Sequence, residues 1–213
     1  YDFPIRSKEG HGIQPRIIEN ATKLGCNLII SADCGSKDIE TIEYATEQEI
    51  DVIITDHHVL GKTWPKALAM INPHTIKERN PMHSLSGSVV CLKFIIALFD
   101  YLNKEINESL FNFIIGIGTL GMISDRMSFL EPMNRAIALQ GVTAINATKW
   151  AGISALKDIC CPKTSVIKSR DLSRNIVPRL NAPGRIGNPE EGIPDSNMAV
   201  DLLLLKEQQH HSK

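Results

Sequence analysis

The sequence predicts an α/β fold: a parallel sheet with flanking helices, followed by a helical extension. Three observations predict it. "CNLIISADCG", "SKDIETIEYATEQE" and "DVIITDHHVL" place a segment of helical spacing between two apolar runs, the pattern of a β-α-β unit with parallel strands. Val52, Ile53 and Ile54 form an unbroken apolar run, suited to a strand covered on both faces. Beyond residue 85 the apolar stretches lengthen to the size of buried helices.

The elements follow in order. "YDFPIRSKEGHG" is irregular. A first strand is expected over 27–32, ending at Asp33 and a turn at Gly35. The next helix, over 36–49, carries Ile39, Ile42 and Ala45 at helical spacing, with Ser36 as its cap. A second strand starts at Asp51, and a third, over 67–73, is stopped by Asn72-Pro73. Helices are expected over 86–103, 109–124 and 131–146, the last with Pro132 in its first turn. Residues 157–195 are richer in Pro, Arg and Asn and read as a connector, with "VPRLNAPGRIG" as a loop, before a final helix over 195–209. The division that results is a core over 1–145 and a helical connecting segment over 146–213.

Composition narrows the function classes. With 43% hydrophobic and 22% charged residues in 213, the chain has ample material for a core. A formal net charge of −1 gives no global sign of a nucleic-acid or membrane partner, so local charge must carry any such claim. Cys26, Cys34, Cys91, Cys160 and Cys161 are odd in number and contain no C-x-x-C pair, which argues against a disulfide framework or a zinc knuckle. A reducing, cytoplasmic setting is expected, with an organelle or the nucleus left open. The apolar stretches are broken by charge before the roughly 18–20 residues of a membrane span. Because the chain begins with Tyr1, it is read as a piece of a longer protein.

The chemistry gathers at strand ends. In open parallel sheets, ligands bind beyond the carboxyl ends of the strands. Asp33 ends the first strand and Asp56-His57-His58 ends the second, so neighbouring strands would set them side by side. Taken singly, an acid there is a turn or cap residue and a histidine pair is structural. Together they point to a metal site, and oxygen and imidazole donors without thiolates favour Mn²⁺ or Mg²⁺ over structural zinc. Asp125 closes the apolar "GIGTLGMIS" segment. An acid is unfavourable beside a helix carboxyl end and invites a cation or another helix's amino terminus. From Lys163 to Arg185 six basic residues face one acid, Asp171, which reads as a solvated basic face or a phosphate-binding surface.

Taken in sequence order, "SADCG", "TDHH", "SLSGSVVCLKF", "GMISD…EPMNR" and "PRLNAPGRIG" resemble the DHH phosphoesterase superfamily, and within it the RecJ branch of single-strand-specific 5′→3′ exonucleases. "PIRSKEGHG" is similar to that branch's P-x-R-x-x-x-G-Y-G segment, with His11 in the aromatic position. The resemblance covers nearly the whole chain. It implies a two-metal Mn²⁺ or Mg²⁺ site in which Asp33 bridges the ions, His57 ligates one and Asp125 completes its shell. His58 would sit near the scissile phosphate. Arg6, Ser86, Gly87, Arg179, Asn181 and Arg185 would contact the backbone of single-stranded nucleic acid, DNA in the RecJ branch. DNA-repair or replication proteins are the implied protein partners, and no membrane is. The family's first D-x-D motif and its DHHA1-type domain have no counterpart here, so two metals would lack ligands and the chain by itself is expected to be inactive. "GMISD" departs from the usual G-T-x-A-D. The other readings are a non-catalytic RecJ-like replication scaffold and a DHH phosphatase of short oligonucleotides or cyclic dinucleotides. Retention of Asp33, His57, His58 and Asp125 argues against the scaffold, and R-x-N-A-x-G-R against the phosphatase.

Overall fold

A computed structural model describes residues 1–164, 166–188, 191, 193 and 195–205. Three strands, β1 (Leu28–Ala32), β2 (Asp51–Thr55) and β3 (Ala69–Ile71), form one parallel sheet in the order β1-β2-β3. Each falls within the run expected of it. The register pairs Ser31 with Ile54 and Ala32 with Thr55, while Thr55 pairs with Ile71. All three strands therefore end at the same edge, and the peptide N–H groups of Asp33 and Asp56 extend the ladder by donating to the carbonyls of Thr55 and Ile71.

Helices α1 (Arg6–Glu9), α2 (Pro15–Lys23) and α3 (Ile39–Glu47) precede β2. Ile18 and Ala21 of α2 and Ile42 and Ala45 of α3 are buried with Val52 and Ile54, which share one face of the sheet. Truncating a side chain as buried as Ile54 to alanine costs about 2–5 kcal/mol. Helix α3 starts later than its sequence suggests. Asp38, not Ser36, occupies its cap position, because Ser36 is buried in the turn after β1 and its polar groups are used elsewhere.

Helices α4 (Gly87–Tyr101), α5 (Glu108–Ser124) and α6 (Pro132–Ala147) form the second layer. The Ser86 and Asn107 side chains accept from the Val89 and Leu110 N–H groups to cap α4 and α5. Pro132 opens α6, where its missing N–H costs nothing. Leu85, Val89, Val90, Met122 and Ala138 join the three helices in one buried cluster, and the Thr55 hydroxyl meets the Cys91 thiol beneath the sheet at 3.2 Å.

Helices α7 (Ala151–Cys160), α8 (Ser169–Asp171), α9 (Val177–Ile186) and α10 (Ser196–Leu204) complete the chain, with a wide π-type turn over Leu172–Ile176. "VPRLNAPGRIG" is thus helical up to Ile186 and not a loop. Its prolines explain both the expectation and the outcome. Pro178 stands at the start of α9, where an absent N–H is tolerated, and its ring disfavours a tight turn at the carbonyl four residues earlier, as the π turn reflects. Pro183 sits inside the helix, which survives because Val177, Ile176 and Leu172 are buried against Leu120 and Ile123 of α5. That cluster also takes in Ile145, Ile153 and Ile167, so the segments on either side of residue 145 share one core. The stretch from 206 on, including the end of the expected final helix, lies outside the described residues. Among the described residues no helix is long and apolar enough to cross a membrane.

Candidate metal centre

Asp33 leaves β1 with φ of 63°, a left-handed conformation that non-glycine residues adopt only when their surroundings hold them there. What holds it is the Thr55 carbonyl behind its N–H and the first turn of α4 in front. A side chain on Gly87 would overlap the Asp33 carboxylate. Gly87 thus lets the acid lie against a helix amino terminus, where negative charge is favoured.

Asp56 organises the end of β2. It is 2% exposed, and its Oδ1 accepts from the backbone N–H of His57 (2.7 Å) and from His58 Nδ1 (2.7 Å), while Oδ2 accepts from the Ser36 N–H (3.1 Å). Burial alone would raise its pKa, but these hydrogen bonds from His58, Ser36 and His57 outweigh it and hold Asp56 below its ordinary value. Asn72, at the end of β3, locks the same turn: its Nδ2 donates to Ser36 Oγ (2.9 Å) and to the His58 carbonyl (3.0 Å). Asp56 is therefore a fully engaged anchor. The two histidines project from it.

His57 points its Nδ1 at the Leu85 carbonyl, 2.9 Å away. A carbonyl only accepts, so Nδ1 carries the ring proton and Nε2 is left as a donor of electrons. Nε2 lies 3.1 Å from Asp33 Oδ1 and 3.8 Å from Asp125 Oδ2. A lone pair facing two carboxylates needs a positive charge between them. In the metal-free protein a proton serves: the hydrogen bond to Asp33 raises the His57 pKa, against the effect of burial, and the charges of Asp33 and Asp125 add to it. Asp125 is itself raised, first by burial and then by Asp33. These relations fit a divalent ion, since a neutral imidazole whose other nitrogen is fixed by a backbone carbonyl is the usual form of a histidine ligand.

One ligand atom each from Asp33, His57 and His58 lies within 4.8 Å of the others. The site thus gathers Asp33 with both histidines, and Asp125 reaches it through His57. Cys34, the nearest thiol in sequence, does not compete. Burial, reinforced by Asp38, Asp56 and Asp33, pushes its pKa up to about 12, so it stays a protonated thiol.

Asp125 owes its place to the way α5 ends. Arg126 takes a left-handed conformation, its N–H donating to the Ile123 carbonyl, while the Met127 N–H donates to Met122. This is a Schellman closure with arginine in the position usually held by glycine. Next to Asp125, Ser124 Oγ accepts from Asn181 Nδ2 at 2.8 Å, which straps α9 to the end of α5.

The residues expected to meet a nucleic-acid backbone divide in two. Arg6, Arg179 and Arg185 are exposed, and Arg6 lines a narrow cleft with Pro183 and Gly184 of α9. Arg179 also donates to the Asn175 carbonyl at 2.5 Å. Ser86, by contrast, is buried with its hydroxyl given to the α4 cap, Gly87 is buried against Asp33, and Asn181 is committed to Ser124. Their side chains shape the site from behind. Sequence reasoning gave no role to Asp56, Ser36 or Asn72 as anchors, nor to the Leu85 carbonyl. The polar residues are buried at strand ends, a signal that local sequence does not carry, and a backbone acceptor has no side-chain signature.

A cluster of candidate metal ligands at the carboxyl edge of a parallel sheet, beside a helix amino terminus, suits a divalent ion and an anionic ligand. Residues 3–121 match the model of the DHH family, N-terminal domain, and the chain belongs to that family as a RecJ-like member of its superfamily. It is 32% identical over 212 residues to the single-stranded-DNA-specific exonuclease RecJ of Escherichia coli K12, a match covering 96% of this chain and 35% of that protein. The chain therefore spans about a third of the length of that relative. A crystal structure of exonuclease RecJ bound to manganese superposes with a TM-score of 0.75 at 25% identity, covering 94% of this chain and 50% of the other. RecJ of Thermus thermophilus in complex with Mn²⁺ gives 0.69 at 25% identity, covering 90% and 28%.

Proposed function

We propose that this chain carries the metal-binding core of a Mn²⁺- or Mg²⁺-dependent exonuclease that hydrolyses single-stranded DNA from its 5′ end. The observation that carries the reading is His57, held by Leu85 through Nδ1 and facing Asp33 and Asp125 through Nε2. A divalent ion bound there supplies Lewis-acid polarisation of a phosphate oxygen. Asp33, His57 and Asp125 would hold it, with His58 at its border.

The chain's own groups do the rest. His58 is oriented by Asp56 through Nδ1 and half exposed, so its Nε2 can bind a phosphate oxygen or pass a proton to the leaving oxygen. Arg6, Arg179 and Arg185 would pair with successive phosphates, for which guanidinium forks are suited. Residues 1–145 would then supply the chemistry and, through Arg6, part of the grip, with Arg179 and Arg185 of 146–213 supplying the rest. The relatives' description as single-stranded-DNA-specific exonucleases supports the substrate.

The test is Mn²⁺ titration of this chain, paired with digestion of 5′-labelled single-stranded DNA by the longest natural form of the protein. Asp33→Asn should remove Mn²⁺ binding by this chain and cleavage by the longer form together. Unchanged Mn²⁺ affinity in that variant would reject the metal assignment. Robust cleavage without divalent ions would reject the mechanism.

A further inference from the structure

Asn134, in the first turn of α6, is completely buried. Its Nδ2 donates to two carbonyls, Ser84 at 2.9 Å and Ser128 at 3.1 Å, fifty and six residues away in sequence. Its Oδ1 is buried and has no hydrogen-bond partner. The orientation of the amide is not arbitrary, since both neighbours are acceptors and only the NH₂ end can face them. An orphaned buried acceptor costs about 1–3 kcal/mol. A leucine, with the same number of side-chain heavy atoms, would leave no orphaned acceptor, so the two donors are what the position needs.

The two carbonyls belong to the segments that build the metal centre. Ser84 ends a short 3₁₀ turn, Pro81–Ser84, and the next carbonyl, Leu85, is the acceptor for His57 Nδ1. Ser86 and Gly87 follow, against Asp33. Ser128 lies three residues beyond Asp125, just after the closure of α5. One buried amide therefore ties together the strand of chain that orients His57 and the turn that presents Asp125.

We infer that Asn134 is a positioning residue of the metal centre: by clamping Ser84 and Ser128 it fixes the Leu85 carbonyl, and through it the Nδ1–H tautomer of His57 that leaves Nε2 free for a metal. The inference rests on the metal reading of that cluster, and its test separates the two. The ¹⁵N resonances of the His57 ring report the tautomer without any ion present, in metal-free protein at a pH where the ring is neutral. Asn134→Leu and Asn134→Ser are compared with Ile145→Ala, a packing variant of the same helix whose side chain is equally buried.

Wild type and Ile145→Ala should show a single Nδ1–H form. Both Asn134 variants should show mixed tautomers, with Mn²⁺ affinity reduced about tenfold, the usual effect of removing an outer support of a metal ligand. A single Nδ1–H form in both Asn134 variants would overturn the inference, as would mixed tautomers in Ile145→Ala. If both Asn134 variants fail to fold while Ile145→Ala folds, the amide is a determinant of folding and the positioning role is equally overturned. Absence of Mn²⁺ binding in wild type would instead count against the proposed function and leave the tautomer result to be read alone.

Discussion

Asp56 and His58 are joined by a 2.7 Å hydrogen bond between a carboxylate that is almost wholly buried and an imidazole that is half exposed. The acid cannot reach a ligand on the surface, and the histidine can. This division of labour explains why β2 ends in one acid and two histidines. The acid spends its oxygens on three backbone N–H groups and one ring, which leaves the His57 ring to Leu85 and Asp33 and the His58 ring half exposed.

Asp56→Asn should separate orientation from metal binding. An amide presents N–H where the carboxylate accepted, leaving a buried donor opposed to His58 or Ser36, at a cost of about 1–3 kcal/mol. Thermal unfolding should record the loss. Mn²⁺ affinity should change little, because Asp33 and His57 remain, while kcat on single-stranded DNA should fall at least tenfold. A variant with full kcat would remove His58 from the proposed chemistry.

Proton and metal compete for His57 Nε2. Its folded pKa is raised above the unfolded value, so its contribution to the stability of the metal-free protein is fully present below about pH 6.5 and is lost as pH rises through the folded pKa. Mn²⁺ affinity should climb across that same window, as the proton that Asp33 and Asp125 hold in place leaves. Asp125 is raised from its ordinary value, first by burial and then by Asp33, while Asp56, against the effect of burial, is lowered by its hydrogen bonds. Calorimetric titrations between pH 6 and 9, in wild type and His57→Gln, check this. A slope that survives in His57→Gln would assign the linkage to another group.

Gly87→Ala should weaken both metal binding and the fold. Alanine is favoured over glycine in a helix by up to roughly 1 kcal/mol, yet its Cβ would occupy the space of the Asp33 carboxylate. Asp33 has little room to yield, since its backbone is already in the left-handed region. The expected result is a lower melting temperature, since overpacking of this kind costs about 1–3 kcal/mol, together with Mn²⁺ affinity at least tenfold weaker. Unaltered affinity would show that Asp33 moves freely.

The fold was largely legible because its signals are local. Apolar runs marked all three strands, and long apolar stretches, with Pro132 in the first turn of the last, marked the helices of the second layer. The clustering of Asp33 with His57 and His58 followed from parallel strands sharing a carboxyl edge. What sequence did not carry was tertiary. Ser36 reads as a cap, but a hydroxyl can serve Asn72 across the fold as well as its own helix. Pro178, Pro183 and Gly184 read as a loop, but burial of Val177 and Ile176 overrides their local preference. Ser86 and Asn181 read as ligands of a phosphate backbone, and their side chains turn inward to Val89 and Ser124.

Under the proposed function the exposed arginines would hold the strand, and their contribution can be measured through salt. Lys163, Lys168, Arg170, Arg174, Arg179 and Arg185 are all exposed, so the excess of positive charge in this stretch faces solvent. Each phosphate neutralised on a single strand releases condensed counterions, so log K falls with log[salt] by about 0.7 per contact. Arg185→Ala should lower the affinity for single-stranded DNA and reduce the magnitude of the slope by about 0.7, without altering Mn²⁺ affinity. Arg179→Ala should do the same and also free the Asn175 carbonyl, so a small loss of stability is expected there and not at Arg185. Arg6→Ala, on the opposite side of the cleft lined by Pro183 and Gly184, extends the test to the amino-terminal segment. Fluorescence anisotropy across a salt series, with a catalytically silent Asp33→Asn background to prevent digestion, gives the slopes directly. Three slopes equal to that of the parent would show that these arginines form a solvated face and that the strand is held elsewhere.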